Sequence, residues 1–176
     1  MFSAKNVKSI KKGVYLVVTK TGDFHSANLK LIKTFSKRGW HGIYVTLSKQ
    51  YSMLLFHFNK HGIPNNTFFF IDATGSRTRA PSSGCLAVES PSSLTELSIA
   101  ITETSNTGKY DFLFFDSLST LLVYNAAESA EKFMHYLAMK MSDLNITTVI
   151  LTLDEEKSKK LIPVIAQFCD GVIKLD

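Results

Sequence analysis

The sequence predicts one α/β domain: a mainly parallel central sheet covered by helices on both faces. Three observations predict it. Short apolar runs alternate with longer stretches whose apolar residues recur every three or four positions, the signature of strands that alternate with helices. The strand runs are continuously apolar rather than alternating, which suits strands buried on both faces. The chain has 176 residues, 45% of them hydrophobic and 20% charged, which is enough for one substantial core and too little for two. No internal repeat or linker divides it, so residues 1–176 read as a single domain.

The elements follow in order. Residues 14–18 are the first strand. A polar loop leads into a helix over 26–38, with Leu29, Ile32 and Phe35 facing inward, and Lys37, Arg38 and Gly39 ending it as a basic last turn plus glycine. Residues 42–47 are the second strand. Tyr51, Leu54, Leu55 and Phe58 then fall at i, i+3, i+4 and i+7, an amphipathic helix stopped by Gly62. Residues 68–71 are the third strand. The stretch 73–84 holds Gly75, Pro81, Gly84, several serines, Arg77 and Arg79, the composition of a surface loop.

Residues 85–88 are a short strand. Ser90-Pro91 opens the next helix, Ser93-x-x-Glu96 reads as a capping box within it, and Leu94, Leu97 and Ile101 form its buried stripe. Residues 112–115 are the strongest strand, four apolar residues followed by Asp116. Asn125-x-x-Glu128 caps a long helix that buries Phe133, Met134, Leu137, Ala138 and Met141. Residues 147–153 are another buried strand, 155–168 a last helix bent at Pro163, and 172–175 the strand that closes the sheet.

Composition narrows the function. No stretch approaches the roughly 20 apolar residues that cross a bilayer, and the lysine-bearing N-terminus is followed by too short an apolar run for a secretory signal. A cytoplasmic protein without membrane insertion is expected. Cys85 and Cys169 fit no metal spacing and sit in apolar runs, as buried reduced thiols do. The net charge of +5 comes mainly from Lys5, Lys8, Lys11 and Lys12, then Lys30, Lys33, Lys37 and Arg38. No aromatic residue alternates with these charges, so a solvated surface is favoured over a nucleic-acid interface.

In an open parallel sheet, ligands bind at the carboxyl ends of the strands. A phosphate-binding loop there reads G-x-x-x-x-G-K-[ST]: glycines let backbone N–H groups wrap the phosphates, the lysine neutralises them and the hydroxyl holds Mg²⁺. The eight residues after the first strand are Thr19-Lys20-Thr21-Gly22-Asp23-Phe24-His25-Ser26. Thr19 stands at the first glycine, Phe24 at the second and His25 at the lysine; Ser26 alone matches. Phe24 places a ring where backbone must approach phosphate. Asp23 places negative charge at a helix N-terminus, which favours the helix and opposes an anion.

Further segments carry a specific resemblance. Phe112-Leu113-Phe114-Phe115-Asp116-Ser117-Leu118-Ser119 resembles the Walker B segment of RecA and KaiC proteins, Thr148-Val149-Ile150-Leu151-Thr152 is similar to their next core strand, and Phe168-Cys169-Asp170-Gly171-Val172-Ile173 to the KaiC-type ending. Gly42-Ile43-Tyr44-Val45-Thr46-Leu47 resembles the KaiC second strand, which two water-activating glutamates normally follow; here those positions are Ser48 and Lys49. The chain as a whole resembles the RecA/KaiC-like P-loop ATPase superfamily, and most closely its short archaeal KaiC-like proteins that lack the Walker A motif. The resemblance implies a RecA-like fold. It implies a vestigial nucleotide site of Thr19, Gly22, His25, Ser26 and Asp116, in which Asp116 would bind Mg²⁺ through water if Mg-nucleotide bound. The structural alternative for Asp116 is a carboxylate that caps a neighbouring loop or helix.

Other chemistry has less support. His57 and His61 stand at i, i+4, a metal-ligand spacing, but no third ligand is evident and a surface pair is favoured, so no metal is expected. There is no G-x-S-x-G and no G-x-G-x-x-G. Arg77 and Arg79 are candidate contacts for a phosphate or an acidic partner, against a plainly solvated loop. The expected function is a non-catalytic RecA/KaiC-like domain, a pseudo-ATPase without cofactor, that acts through protein–protein contact in regulation or signal transduction. Active relatives assemble through the flanks of this fold, so a homo-oligomer is a candidate state. The first alternative is a protein that binds or hydrolyses ATP with Mg²⁺ through an atypical loop. The second is a nucleic-acid-binding accessory protein that uses the basic N-terminus.

Overall fold

The computed structural model describes residues 10–75 and 83–175. Among them lie seven strands: β1 (Val14–Thr19), β2 (Gly42–Thr46), β3 (Phe68–Asp72), β4 (Cys85–Ala87), β5 (Phe112–Asp116), β6 (Thr147–Leu153) and β7 (Gly171–Leu175). They form one sheet in the order β4-β3-β2-β5-β6-β1-β7. Every pairing is parallel. All carboxyl ends therefore share one edge. In register, Thr46 of β2 lies between Asp72 of β3 and Asp116 of β5.

The helices are α1 (Phe24–Ser36), α2 (Tyr51–Lys60), α3 (Leu94–Asn106), α4 (Leu118–Tyr124), α5 (Ala127–Asp143), α6 (Glu156–Lys159) and α7 (Ile162–Ala166). One core lies where α3, α4, α5 and α7 cover Leu16, Val45, Ile71, Leu113, Phe115 and Ile150. The other lies where α1 and α2 cover Val17, Tyr44, Phe70, Phe112, Phe114 and Leu151, and it is dense in aromatic rings. Alternate residues of each strand thus go to opposite cores, as the two-sided apolar runs require. None of the described helices is long and apolar enough to cross a membrane.

The first helix begins at Phe24 rather than Ser26, and it buries Leu31 where Leu29 was expected, with Leu29 only half-buried. The seven-residue α4 has no signal in the sequence pattern; its start is fixed by Ser117, whose Oγ accepts from the Thr120 backbone N–H at 3.3 Å. Neither capping box forms. Glu96 accepts instead from the Glu89 N–H at 3.0 Å. Asn125 donates to the carbonyls of Pro91 and Leu121, both at 3.0 Å, and so closes α4 rather than opening α5. The expected helix over 155–168 is two short helices, because Pro163 has no N–H for the carbonyl four residues back at Lys159 and instead sits in the first turn of α7. Of the two free thiols, Cys85 is buried and Cys169 half-buried. Burial pushes both up to about 11, which leaves them protonated and unreactive at neutral pH.

Candidate functional site at the carboxyl edge of the sheet

The loop after β1 is not shaped as a cradle. Thr21–Asp23 forms a 3₁₀ turn that runs directly into α1. The Asp23 N–H donates to the Lys20 carbonyl at 3.0 Å, and the Ser26 hydroxyl to the Asp23 carbonyl at 2.9 Å. One backbone N–H and the Ser26 hydroxyl are thus directed into the loop itself. Thr19 is buried, Gly22, His25 and Ser26 are exposed, and Phe24 is half-buried against the aromatic core. Gly22 has no left-handed φ, and a Cβ built on it meets nothing within 4 Å. Gly22→Ala is therefore expected to stabilise the fold by about 0.4–1 kcal/mol through the unfolded chain, as read from urea unfolding midpoints. A glycine held in a phosphate-wrapping conformation gives destabilisation instead.

Asp116 lies at the same sheet edge, as expected, and α1 reaches it. Its Oδ2 accepts from the Tyr44 hydroxyl at 2.5 Å and from Asn28 Nδ2 at 2.9 Å; Asn28 Nδ2 also donates to the Tyr44 oxygen at 3.0 Å. Oδ1 is buried and makes no hydrogen bond among the described residues. Asp116 is 2% exposed. Desolvation raises its pKa above the ordinary carboxylate value, opposed by the Tyr44 hydrogen bond, the charge of Lys49 and the Asn28 hydrogen bond. Burial, then the neighbouring Asp116, pushes the Tyr44 hydroxyl well above its ordinary value, so it remains a donor. The carboxylate therefore caps neither loop nor helix: it is the acceptor of a buried side-chain triad. Sequence pattern alone assigns no site role to Tyr44 or Asn28. Asn28 had a legible signal, since it falls on the stripe of Leu31, Ile32 and Phe35 at i, i+3, i+4 and i+7, a polar residue on a buried face.

Beyond β2, Thr46 sets the following turn: its Oγ1 donates to the Lys49 carbonyl at 2.7 Å and accepts from the Lys49 N–H at 3.2 Å. Lys49 Nζ then stands 3.3 Å from His25 Nδ1. His57 of α2 and His61 just past its end complete the surroundings, with ring centroids 5.3 and 6.2 Å from His25. Partial burial first, then the charge of Lys49, holds His25 and His57 below the ordinary imidazole value, so both are neutral near pH 7. Sequence spacing had paired His57 with His61 and left His25 in a different motif; the tertiary structure brings the three together. The α2 N-terminus is held to the same edge by Asp72, whose Oδ2 accepts from the Tyr51 N–H at 2.7 Å. Arg77 and Arg79 lie outside the described residues.

Comparison with known proteins agrees with this architecture. A family model described as KaiC ATPase matches residues 28–176 and so begins just beyond the loop after β1. No curated protein matched. A solved KaiC-like protein from the hyperthermophilic archaeon Pyrococcus horikoshii OT3 is similar in fold, with a TM-score of 0.62 and 17% identity over 93% of this chain and 71% of that one. With the family pattern spanning most of the chain and a parallel sheet that carries Asp116 at its carboxyl edge, the chain belongs to the KaiC ATPase family, with a RecA-like fold.

Proposed function

We propose that this chain is a non-catalytic member of its family that works by protein–protein contact in regulation or signalling. The observation that carries the reading is the loop after β1: it is closed by its own hydrogen bonds and carries His25 where a phosphate-neutralising lysine is needed. Phosphoryl transfer depends on positioning and electrostatic stabilisation of the transferring group. A neutral imidazole supplies no cation. Ser48 and Lys49, at the positions of the family's glutamates, cannot polarise a water as a carboxylate does. Exposed apolar side chains support contact as the mode of action. Phe56 on α2 is 66% exposed, and Ile99 of α3 with Tyr136 of α5 lines a second exposed surface. That face is a candidate surface for self-association or for a protein partner. Nucleic acid as a partner has only the +5 charge in its favour.

One observation favours a second reading, an ATP-binding protein with an atypical loop. Asp116 Oδ1 is buried with no partner among the described residues, at the position where the family holds Mg²⁺. Ser26 and Asp116 would then hold Mg-nucleotide. Two measurements separate the readings. No phosphate release above a mock preparation and no change in melting temperature with Mg-ATP are expected. A ligand at 100 times its Kd adds about 2.7 kcal/mol to stability, so even weak specific binding is visible. A Mg-dependent thermal shift that Ser26→Ala removes establishes the second reading.

A further inference from the structure

We propose that His25, His57 and His61 form a binding site for a single divalent transition-metal ion of the Zn²⁺, Co²⁺ or Ni²⁺ type. One ligand nitrogen from each ring lies within 4.8 Å of the others, and the rings come from two elements that meet nowhere else in sequence: the start of α1 and the last turn of α2 with its end. His57 and His61 are at i, i+4, so they project from one side of α2, and the His25 ring lies beside both, 5.3 and 6.2 Å away between centroids. Tetrahedral Zn²⁺ with nitrogens at about 2.0–2.1 Å brings its ligands to about 3.4 Å from one another. His25 is exposed and the other two half-buried, so the rings can close that gap by side-chain rotation without moving the sheet.

The chemistry of the set selects the metal. Three imidazole nitrogens suit borderline transition metals, whereas Mg²⁺ and Ca²⁺ require oxygen donors. Three protein ligands leave a fourth position to water, the ligand count of an open site rather than a closed structural one. A cation already approaches the set: the Lys49 ammonium stands 3.3 Å from His25 Nδ1. Lys49 therefore competes with the metal for the nitrogen's electron pair and repels a dication. The remaining histidines take no part, since His135 stacks on Phe168 with centroids 4.3 Å apart and His41 precedes β2 at the opposite edge of the sheet. The site is independent of whether the chain hydrolyses ATP. A bound ion would clip the N-terminus of α1 to the end of α2.

The test uses the tag-free full chain, stripped with chelator and dialysed against Zn²⁺, with bound metal counted by atomic absorption and Co²⁺ followed by its visible d–d bands. One Zn²⁺ per chain, an intense tetrahedral Co²⁺ spectrum and a rise in melting temperature with Zn²⁺ but not Mg²⁺ are expected. His57→Ala and His61→Ala should each lose the bound ion and the spectrum while circular dichroism stays that of the wild type, because neither ring is in a core. Lys49→Met should bind roughly tenfold more tightly, since a +1 charge facing a +2 charge at about 5 Å is removed even at the dielectric of water. No bound metal, or an equivalent that His57→Ala and His61→Ala both retain, overturns the proposal. Unchanged affinity in Lys49→Met overturns the competition by Lys49.

Discussion

Asp116→Ala is expected to destabilise the fold by about 3 kcal/mol. The substitution strands two buried donors, the Tyr44 hydroxyl and Asn28 Nδ2, which now share Asp116 Oδ2. Each buried donor left unpaired costs about 1–3 kcal/mol, offset in part because a desolvated carboxylate leaves with them. Asn28 and Tyr44 retain their bond to one another at 3.0 Å, which limits the loss. Urea unfolding near neutral pH measures it. A cost below about 1 kcal/mol means that the triad does not hold α1 to the sheet edge. Asp116→Asn separates the charge from the hydrogen bonds. Because Asp116 has its pKa raised in the folded state, it contributes stability that is complete below its unfolded value of 3.8 and lost as pH rises through the folded value. The asparagine variant lacks that loss, so its stability relative to wild type should climb as pH rises from about 4, and a flat difference contradicts the raised pKa.

Gly42→Ala is expected to cost 3 kcal/mol or more, at about the upper end for overpacking a core. Gly42 pairs in register with Phe112 on the neighbouring strand. A Cβ at Gly42 would stand 2.3 Å from Phe112 Cζ and 2.6 Å from both Cε atoms. The ring cannot retreat. Phe112 is wholly buried, with Phe35 stacked on it at 4.9 Å and Phe68 edge-on at 5.7 Å. Glycine is needed here for space, since Gly42 is not in the left-handed region. The double variant Gly42→Ala with Phe112→Leu should recover part of the loss, because a smaller side chain vacates the contested volume, and the two changes should be clearly non-additive. Additive losses mean that the Cβ is accommodated by a shift of the strand instead.

The chain's local pattern determined the fold class, the strands and most helix faces. Strand and helix periods are written in adjacent residues, so β1, β2, β5 and β6 and the buried face of α5 could be read directly, as could Asp116 at the end of its strand. The departures from a phosphate-binding loop at Thr19, Phe24 and His25 were equally legible, because that motif is contiguous. Tertiary structure alone decided what replaced it. Short polar side chains choose partners by proximity in the folded state, so Glu96 and Asn125 satisfied backbone groups other than the ones their spacing suggested. Asn28 and Tyr44 meet Asp116 only because α1 packs over β2 and β5. His25 meets His57 and His61 only because α1 and α2 pack side by side over the same face of the sheet. Hydrophobic periodicity is a local property and carries the layers; the convergence of polar groups depends on strand order, which no short stretch of sequence contains.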